Sequence, residues 1–481
     1  MRVLEGLEPK EVFRYFEDLT QIPRGSGNEK AVSDYCVKFA KEHGLEVMQD
    51  ELYNVIIKCP ATNGYEDIEG VIIQGHLDMV CEKTDDSDID FEKDPLKIKI
   101  DEDFITADGT TLGGDDGIAV AYALAIMASK DIPHPNIEAV FTVSEETGME
   151  GASGIDLSGL KNRRLINLDN EEEGVILTSC AGGCRADCTL PFHRYSTSGT
   201  EVRLTLKGLT GGHSGTGIID GGANANIMIA RIADAAVKAS DAMLLDMKGG
   251  TKDNAIPRSA EAVFIVPTEK KEAFKAAAEE EAGKIESEYI AQDPYMTLEI
   301  SEEGEQTENC INELGFKAIV AFIFSLPNGV QAMSSDVDGL VETSLNLGVM
   351  KTEGNELMLR YALRSSKNTA REFLLRKINV IASSMNGRVE SYGEYPAWEY
   401  RKDSRLREDM VRIYKELFKT EPKVQAIHAG VECGLISDKL EGIDSVSIGP
   451  EMSGVHTTEE KLSISSTKRT WDYLCAVLAL K

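Results

Sequence analysis

The chain's first candidate for chemistry is the pair His76 and Asp78, which follows the apolar run Val71–Ile73. The run predicts a buried strand. In an extended chain residues i and i+2 point to the same side, so the imidazole and the carboxylate face one way at the strand's end. A metal-binding histidine usually needs a carboxylate to fix its tautomer, and Asp78 is placed for that. A structural His–Asp pair would look the same, so other motifs must decide.

Two acidic pairs follow similar buried segments. Asp115 and Asp116 lie between two glycines and an Ala-rich apolar helix, where a carboxylate can simply cap the helix. One cap is enough, so Asp116 is expected to cap and Asp115 is left for another role. Glu145 and Glu146 follow an apolar strand with no Lys or Arg nearby in sequence. Either both are solvated loop carboxylates, or a cation neutralises at least one of them.

The arrangement of these acids along the chain predicts that they meet. Asp169 ends a further short apolar strand, in RLINLD, and His456 lies in a Gly-rich loop before the last helix. Strands that alternate with helices indicate a mainly parallel sheet with helices on its faces. In such sheets ligands bind outside the carboxyl ends of the strands. Carboxylates and imidazoles gathered there suit a divalent cation.

Five candidate ligands are enough for two cations that share one carboxylate. We assign His76, Asp115 and Asp169 to one ion. We assign Glu146, Asp115 and His456 to the other, so that Asp115 bridges. Each site then keeps room for water, and a pair of ions acidifies that water and polarises a carbonyl. Glu145 is the candidate general base and later acid, and Asp78 orients His76 without being a ligand.

Four more residues are candidates for contact with a substrate. His213, in GGHSG, is either an inconsequential loop histidine or an electrophile that stabilises the oxyanion of a tetrahedral intermediate, which its flanking glycines would allow. Arg364 ends a predicted strand and is either a surface residue or the partner of a substrate carboxylate. His428 and Glu432, in HAGVECG, are candidates for the lining of the substrate pocket.

Composition excludes several classes of protein. The 481 residues include 51 Lys and Arg against 82 Asp and Glu, for a formal charge of −31. Such a surface repels nucleic acid and anionic membranes. No apolar run is long enough for a membrane span, and the N-terminus lacks a signal-peptide core. The nine cysteines are scattered, and Cys180, Cys184 and Cys188 match no zinc-finger spacing and are expected to be structural. We expect a cytoplasmic protein.

The rhythm of predicted elements changes twice along the chain. Residues 1–183 and 389–481 are predicted to form one α/β domain, with a mixed, mainly parallel sheet flanked by helices. Residues 184–388 are predicted to form an inserted α+β domain. Within it the patterns predict a long helix over Ala223–Ser240, a strand over Met296–Ile300 and a hairpin over Val341–Arg364.

The motifs together carry a resemblance that no single one does. The set resembles that of the cocatalytic-zinc exopeptidases of the aminoacylase and carboxypeptidase G2 kind, and within them the dipeptidases. The motifs, in order, are GHLDMV, LGGDDG, SEETGMEGA, NLDNEEEG, GGHSG, HAGVECG and GVHTTEEKLSI. The resemblance implies the ligand set above, Asp78 and Glu145 as the catalytic pair, and His213 near the scissile carbonyl. It also implies a catalytic domain split by a lid domain that often serves for dimerisation.

The expected function is therefore the hydrolysis of unblocked dipeptides with broad specificity, Xaa-His dipeptides among them, by water bridging two metal ions. Zinc is the expected ion, with manganese and cobalt as alternatives. A dipeptide is the expected substrate, and a homodimer through the lid domain is the expected assembly. An amidase of N-acyl amino acids with the same centre is the alternative enzyme. A binding protein that has lost catalysis is the non-enzymatic alternative, and the complete ligand set with Glu145 argues against it.

Overall fold

The structure, a computed structural model, describes residues 2–481 and divides the chain into two units. The first unit comprises the described residues up to Cys180, together with Tyr400–Ala426 and Val431–Lys481. The second, inserted unit comprises Ala181–Glu399 and Ile427–Gly430. The inserted unit thus extends beyond the predicted residue 388, because the strand that begins at Arg388 pairs within it.

The elements are as follows in chain order. The part before the insertion contains α1 (Lys10–Thr20), α2 (Lys30–Glu42), β1 (Glu46–Gln49), β2 (Val55–Cys59), β3 (Val71–His76), β4 (Ile98–Asp101), β5 (Phe104–Ala107), α3 (Gly114–Ala128), β6 (Ile137–Thr142), α4 (Glu145–Gly148), α5 (Glu150–Gly154), β7 (Arg164–Asn167) and β8 (Val175–Cys180). The insertion contains β9 (Gly182–Pro191), β10 (Arg194–Lys207), β11 (Gly212–His213), α6 (Ala225–Ser240), β12 (Met243–Gly249), β13 (Ala255–Ile256), β14 (Ala260–Val266), α7 (Lys271–Tyr289), β15 (Thr297–Ile311), α8 (Glu313–Ser325), β16 (Gly329–Met333), β17 (Val341–Glu353), β18 (Glu356–Ser365), α9 (Asn368–Ser384) and β19 (Arg388–Tyr395). The last part contains α10 (Arg405–Phe418), β20 (Lys423–Ile427), α11 (Cys433–Lys439), β21 (Asp444–Ser447), β22 (Met452–Ser453), β23 (Lys461–Ser463) and α12 (Ile464–Leu478).

The first unit is built on an eight-stranded mixed sheet with the strand order β1-β2-β6-β3-β7-β21-β8-β20. The four central strands β6, β3, β7 and β21 are parallel, and the pairs outside them include antiparallel ones. Every residue of β3 and β6 is buried, as expected of central strands covered on both faces. The carboxyl ends of β3, β6 and β7 therefore lie side by side, where the sequence places its histidine and acids.

Helices cover this sheet according to their apolar patterns. In α1 the residues Val12, Phe13, Phe16 and Leu19 recur at helical spacing and are buried. Helix α3 is buried from Gly114 to Met127, and its apolar character all round fits a helix enclosed by the core. The predicted α/β class with an inserted domain is confirmed.

The inserted unit has a nine-stranded sheet whose strands pair antiparallel. Its core includes the buried faces of α6, α7, α8 and α9. Side chains cap two of these helices: Asn224 accepts from the backbone N–H of Asn226, and Asn312 accepts from that of Gly315. Cys184 and Cys188 are buried thiols of this core.

One strand of the insertion is much longer than its sequence predicts. The pattern predicts a strand over Met296–Ile300, but β15 continues to Ile311 and pairs with β10 along its length. Its exposed middle, SEEGEQTEN, consists mostly of residues with low strand propensity, and its backbone pairs with β10. No helix among residues 2–481 is both long and apolar enough to cross a membrane.

Candidate functional site

The first unit carries a dense cluster of ionisable side chains at the carboxyl ends of its parallel strands. His76 is the last residue of β3, Glu145 follows β6, and Asp169 lies two residues beyond β7. Asp115 lies in the first turn of α3, and His456 comes from the loop between β22 and β23, with a left-handed φ of 64°. His76, Glu145 and Asp169 converge because neighbouring parallel strands end at one edge, and α3 and the β22–β23 loop add Asp115 and His456.

Asp115 lies between the two histidines. Its Oδ1 lies 3.0 Å from Nε2 of His76, and its Oδ2 lies 3.1 Å from Nε2 of His456. Asp169 Oδ1 lies 3.5 Å from the same His76 nitrogen, and Glu146 Oε2 lies 2.9 Å from the His456 nitrogen. Asp115, the predicted bridging ligand, thus lies close to both imidazoles, with one oxygen facing each.

The chemistry of these donors fits a pair of divalent cations. Each ion would find one imidazole nitrogen, one private carboxylate and one oxygen of Asp115, which are ligands that zinc accepts. Asp115, Glu146 and His456 form one group whose ligand atoms lie within 4.8 Å of one another. The carboxylates near the two imidazoles outnumber them, and this surplus of acidic groups favours the binding of cations. These carboxylates include Asp78, Asp115, Asp116, Glu145, Glu146 and Asp169.

Asp116 is placed differently from its prediction. Its side chain caps no helix; instead Oδ2 accepts from the backbone N–H of His76 at 3.1 Å. The side chain is fully buried, and together with His76 and Asp169 it also forms a group of potential ligand atoms within 4.8 Å. Because Asp115 approaches the imidazole of His76 directly, at 3.0 Å, we keep Asp115 in the ligand set and interpret Asp116 as support for His76.

Asp78 lies close to the ring of His76 and to the backbone of Glu145 and Glu146. Its Oδ1 lies 3.4 Å from Nδ1 of His76, which leaves Nε2 of that ring to face Asp115. The same oxygen accepts from the backbone N–H of Glu145 at 3.0 Å, and Oδ2 accepts from that of Glu146 at 3.3 Å. Burial would raise the pKa of Asp78, but the bonds from His76 and its other donors lower it to about 2. Asp78 is therefore ionised at neutral pH.

The remaining ionisable groups of the cluster are shifted in opposite directions. Burial, with the charge of Asp169 adding to it, raises the pKa of Glu145 well above its ordinary value. Burial raises the pKa of Asp169 to about 8. Hydrogen bonds to Asp115 and Glu146 raise the pKa of His456 to about 11. A carboxyl group with a raised pKa, such as Glu145, is suited to take up and return a proton near neutral pH.

Sequence reasoning missed the support beneath Asp115. Glu460 is buried, and its carboxylate accepts from the backbone N–H groups of Leu112, Gly113 and Gly114 at 2.7, 3.1 and 2.7 Å. It lies in the loop that also carries His456. Its hydrogen bonds therefore connect that loop to residues 112–114, which directly precede Asp115. Its only signal in sequence is an acidic pair near His456, which is the pattern of an ordinary solvated loop.

Glu432 lies in the first unit and is completely buried. Its Oε2 accepts from Gln74 at 2.5 Å and from Thr142 at 2.6 Å, while its Oε1 has no hydrogen-bond partner among residues 2–481. Burial raises the pKa of Glu432 to about 7. The side chain thus forms hydrogen bonds with one residue of β3 and one residue of β6. The contact of Glu432 with substrate stays a prediction.

The other three predicted substrate residues lie together in the inserted unit. Nδ1 of His213 accepts from the backbone N–H groups of Gly215 and Thr216, each at 3.3 Å. Burial and the Arg364 charge lower the pKa of His213, which favours the neutral ring. With Nδ1 accepting, the proton of that ring is on Nε2, where it can be donated to a developing negative charge.

Arg364 and His428 are each held by a hydroxyl. Arg364 Nη1 donates to the Tyr395 hydroxyl at 3.0 Å, and its buried Nε has no partner among the described residues. Nε2 of His428 lies 2.7 Å from Oγ of Ser344. Burial, and after it the Arg364 charge, lowers the pKa of His428 to about 4. This cluster offers hydrogen-bond donors and one permanent positive charge, which suits a carboxylate.

Comparison with known proteins decides the family. Residues 72–480 match the model of peptidase family M20/M25/M40. The chain belongs to this family. It is 35% identical over 480 residues to the cytosol non-specific dipeptidase of Escherichia coli (strain K12), covering 99% of each chain. The predicted membership, and with it the prediction of a peptide hydrolase, is confirmed.

Solved structures of two peptidases are similar in fold to this chain. The aminoacylhistidine dipeptidase of Vibrio alginolyticus matches with a TM-score of 0.92 at 35% identity, covering 99% of this chain and 97% of that one. Aminopeptidase PepT of Bacillus cereus matches with a TM-score of 0.56 at 17% identity and 98% coverage of both chains, which shows the fold alone.

Proposed function

We propose that this M20 peptidase is a metal-dependent dipeptidase that hydrolyses unblocked dipeptides. The observation that carries the proposal is the position of Asp115, whose two oxygens each lie about 3 Å from a different imidazole. The 35% identity over almost the whole chain to a protein named a non-specific dipeptidase supports the choice of substrate, as does the similarity to an aminoacylhistidine dipeptidase. Xaa-His dipeptides are therefore included among the proposed substrates.

Two divalent ions would be held by His76, Asp115, Asp169, Glu146 and His456. When bound, such a pair acidifies a water molecule and polarises the scissile carbonyl. Zinc is the proposed ion because imidazole and carboxylate donors suit it, and manganese and cobalt are the alternatives with the same donor preferences.

Glu145 accepts the proton of the attacking water and returns it to the nitrogen of the leaving amine. Its pKa, which burial raises well above the ordinary value, supports both transfers, because a carboxylate that binds a proton more readily serves as base and then as acid. Asp78 fixes the ring of His76 and the backbone N–H of Glu145, so it holds a metal ligand and the base in one geometry.

Two residues of the inserted unit have the chemistry expected of substrate contacts. The lowered pKa of His213 favours the neutral ring, whose Nε2–H is a donor suited to a developing negative charge. Arg364 keeps donors that Tyr395 does not use, and their fork suits a substrate carboxylate.

The alternative is an amidase of N-acyl amino acids, which would use the same metal centre. The test compares hydrolysis of Ala-His with that of its N-acetylated form by metal-loaded protein, and repeats both assays after chelation and after reloading with zinc. We expect cleavage of the unblocked dipeptide only, its loss on chelation and its return with zinc. Cleavage restricted to the acetylated form would reject the dipeptidase proposal. The cytoplasmic location, which the name of the E. coli relative supports, and the homodimer stay predictions.

A further inference from the structure

A short segment provides none of the proposed metal ligands. It nevertheless contacts the loops that carry Asp78 and Glu145, the two proposed catalytic carboxylates. This segment, Arg24–Glu29, connects α1 to α2 and is called the brace here. Arg24 and Glu29 are only 2% and 4% exposed, which is rare for charged side chains unless they are paired or hydrogen-bonded. Their partners therefore indicate what the brace does.

The brace holds Asp78 by its backbone and by its side chain. Arg24 Nη1 donates to the carbonyl oxygens of Leu77 and Asp78 at 2.9 and 2.8 Å. Arg24 Nη2 donates to the carbonyl oxygen of Gly113, in the loop that precedes Asp115. Ser26 Oγ donates to Oδ2 of Asp78 at 2.8 Å. The residue after β3 and the loop before α3 are thus tied to one buried guanidinium.

Glu29 holds the residue that precedes Glu145. Its Oε1 accepts from the backbone N–H of Ser144 at 3.1 Å and from the Ser144 hydroxyl at 2.9 Å. The same oxygen accepts from the backbone N–H of Gly27 at 2.8 Å. Ser144 has a left-handed backbone, with φ 53° and ψ 37°, which a residue with a side chain adopts at a cost. The contacts to Glu29 hold it there.

Two successive N–H groups are therefore fixed by two different buried carboxylates. The N–H of Ser144 is bonded to Glu29, and the N–H of Glu145 is bonded to Asp78 at 3.0 Å. The left-handed residue turns the chain from the end of β6 into α4, whose first residue is Glu145. The direction of the Glu145 side chain thus depends on the brace.

We propose that Glu29 is a positioning residue for Glu145, and that the brace sets the geometry in which Glu145 moves its proton. The proposal rests on the proposed function, because it takes Glu145 as the general base. It assigns Glu29 no contact with substrate or metal. A base displaced by about an ångström loses catalysis far more than it loses binding.

The test compares Glu29→Ala and Glu29→Gln with Glu17→Ala in the metal-loaded full chain. Glu17 is a matched control, since it is a 7% exposed glutamate of the same unit that accepts from two backbone N–H groups, those of Val3 and Leu4. We expect Glu29→Ala to lower kcat about 100-fold while KM and metal content change less than about threefold. Glu29→Gln keeps an oxygen acceptor for Ser144 and should restore kcat to within about fivefold of wild type.

Glu17→Ala should lower the melting temperature and leave kcat within about twofold, because its role is structural only. If Glu29→Ala does not fold, Ser144→Ala replaces it, and the loss of one hydrogen bond to Glu29 should lower kcat about three- to tenfold at unchanged metal content. Wild-type kcat in Glu29→Ala or, in its place, Ser144→Ala would overturn the proposal. So would a loss of metal in step with kcat. Glu145→Gln separates the two proposals: if it is inactive while Glu29→Ala is fully active, only the positioning role fails, and if it is fully active, both fail.

Discussion

The two units carry clusters of opposite charge. The cluster of the first unit consists of carboxylates around two imidazoles, with Asp115 between His76 and His456. The cluster of the inserted unit consists of Arg364, His213 and His428, supported by the hydroxyls of Tyr395 and Ser344. The first favours the binding of cations, and the second favours the binding of an anion. The difference indicates that the acidic cluster is suited to metal ions and that the basic cluster is suited to a carboxylate.

Glu145→Gln tests the first cluster with the largest expected effect. Glutamine cannot accept and return a proton, so kcat should fall about 10³- to 10⁴-fold with metal content unchanged. Glu150→Gln is the control, because Glu150 is an exposed glutamate on the following short helix and should keep kcat within about twofold. Steady-state kinetics and metal analysis of both variants give the result. A Glu145→Gln enzyme with more than about a tenth of wild-type kcat would remove Glu145 from the mechanism.

Arg364→Lys tests the second cluster and should act on binding. Lysine keeps the charge but loses the planar fork of donors, so kcat/KM for a dipeptide should fall about 10- to 100-fold, mainly through KM. The same change should hardly affect the corresponding dipeptide amide, which has no carboxylate to pair. Arg360→Lys is the control on the same strand, where Arg360 forms a pair with Asp187. Equal losses for the dipeptide and its amide would show that Arg364 does not recognise the carboxylate.

His428 gives the smallest predicted effect, a pH dependence of stability. The folded pKa of about 4 lies below the value of about 6.5 expected for an unfolded chain, so the unfolded state binds more protons between these values. The neutral His428 therefore costs the folded protein no stability above about pH 6.5. As the pH falls towards 4 and below, the free energy of unfolding decreases by a total on the order of 3 kcal/mol. Urea unfolding at several pH values should show a shallower decline for His428→Gln. An identical decline in both proteins would contradict the neutral, buried state.

Sequence reasoning was most successful where chemistry and secondary structure are both local. His76 and Asp78 at the end of an apolar run, and Glu145 and Glu146 at the end of another, already indicate strand ends at one edge of a parallel sheet. The convergence of Asp169 follows from the same rule, whereas that of His456 was predicted by the family resemblance, because its loop joins two antiparallel strands of another sheet. These residues have strong local patterns, so the fold class and the candidate metal centre could be predicted.

The supporting residues could not be predicted, because their roles depend on tertiary contacts. Glu29 and Glu460 look like ordinary surface acids in sequence, but each is buried against backbone N–H groups of a distant loop. Asp116 has the pattern of a helix cap, although its carboxylate bonds to the backbone of His76 instead. The polar middle of β15 has no strand pattern and is ordered by pairing with β10. No propensity rule reports such long-range partners.

The central claim is that Asp115 joins two metal sites, and metal content tests it most directly. Wild type, Glu146→Ala and Asp115→Ala would be saturated with zinc, freed of loose ions and analysed by mass spectrometry, with circular dichroism to confirm folding. We predict about two zinc ions per chain for wild type, about one for Glu146→Ala and close to none for Asp115→Ala, because a bridging ligand serves both ions. A folded Asp115→Ala protein that retains two ions, or a wild type that saturates at one, would contradict the account.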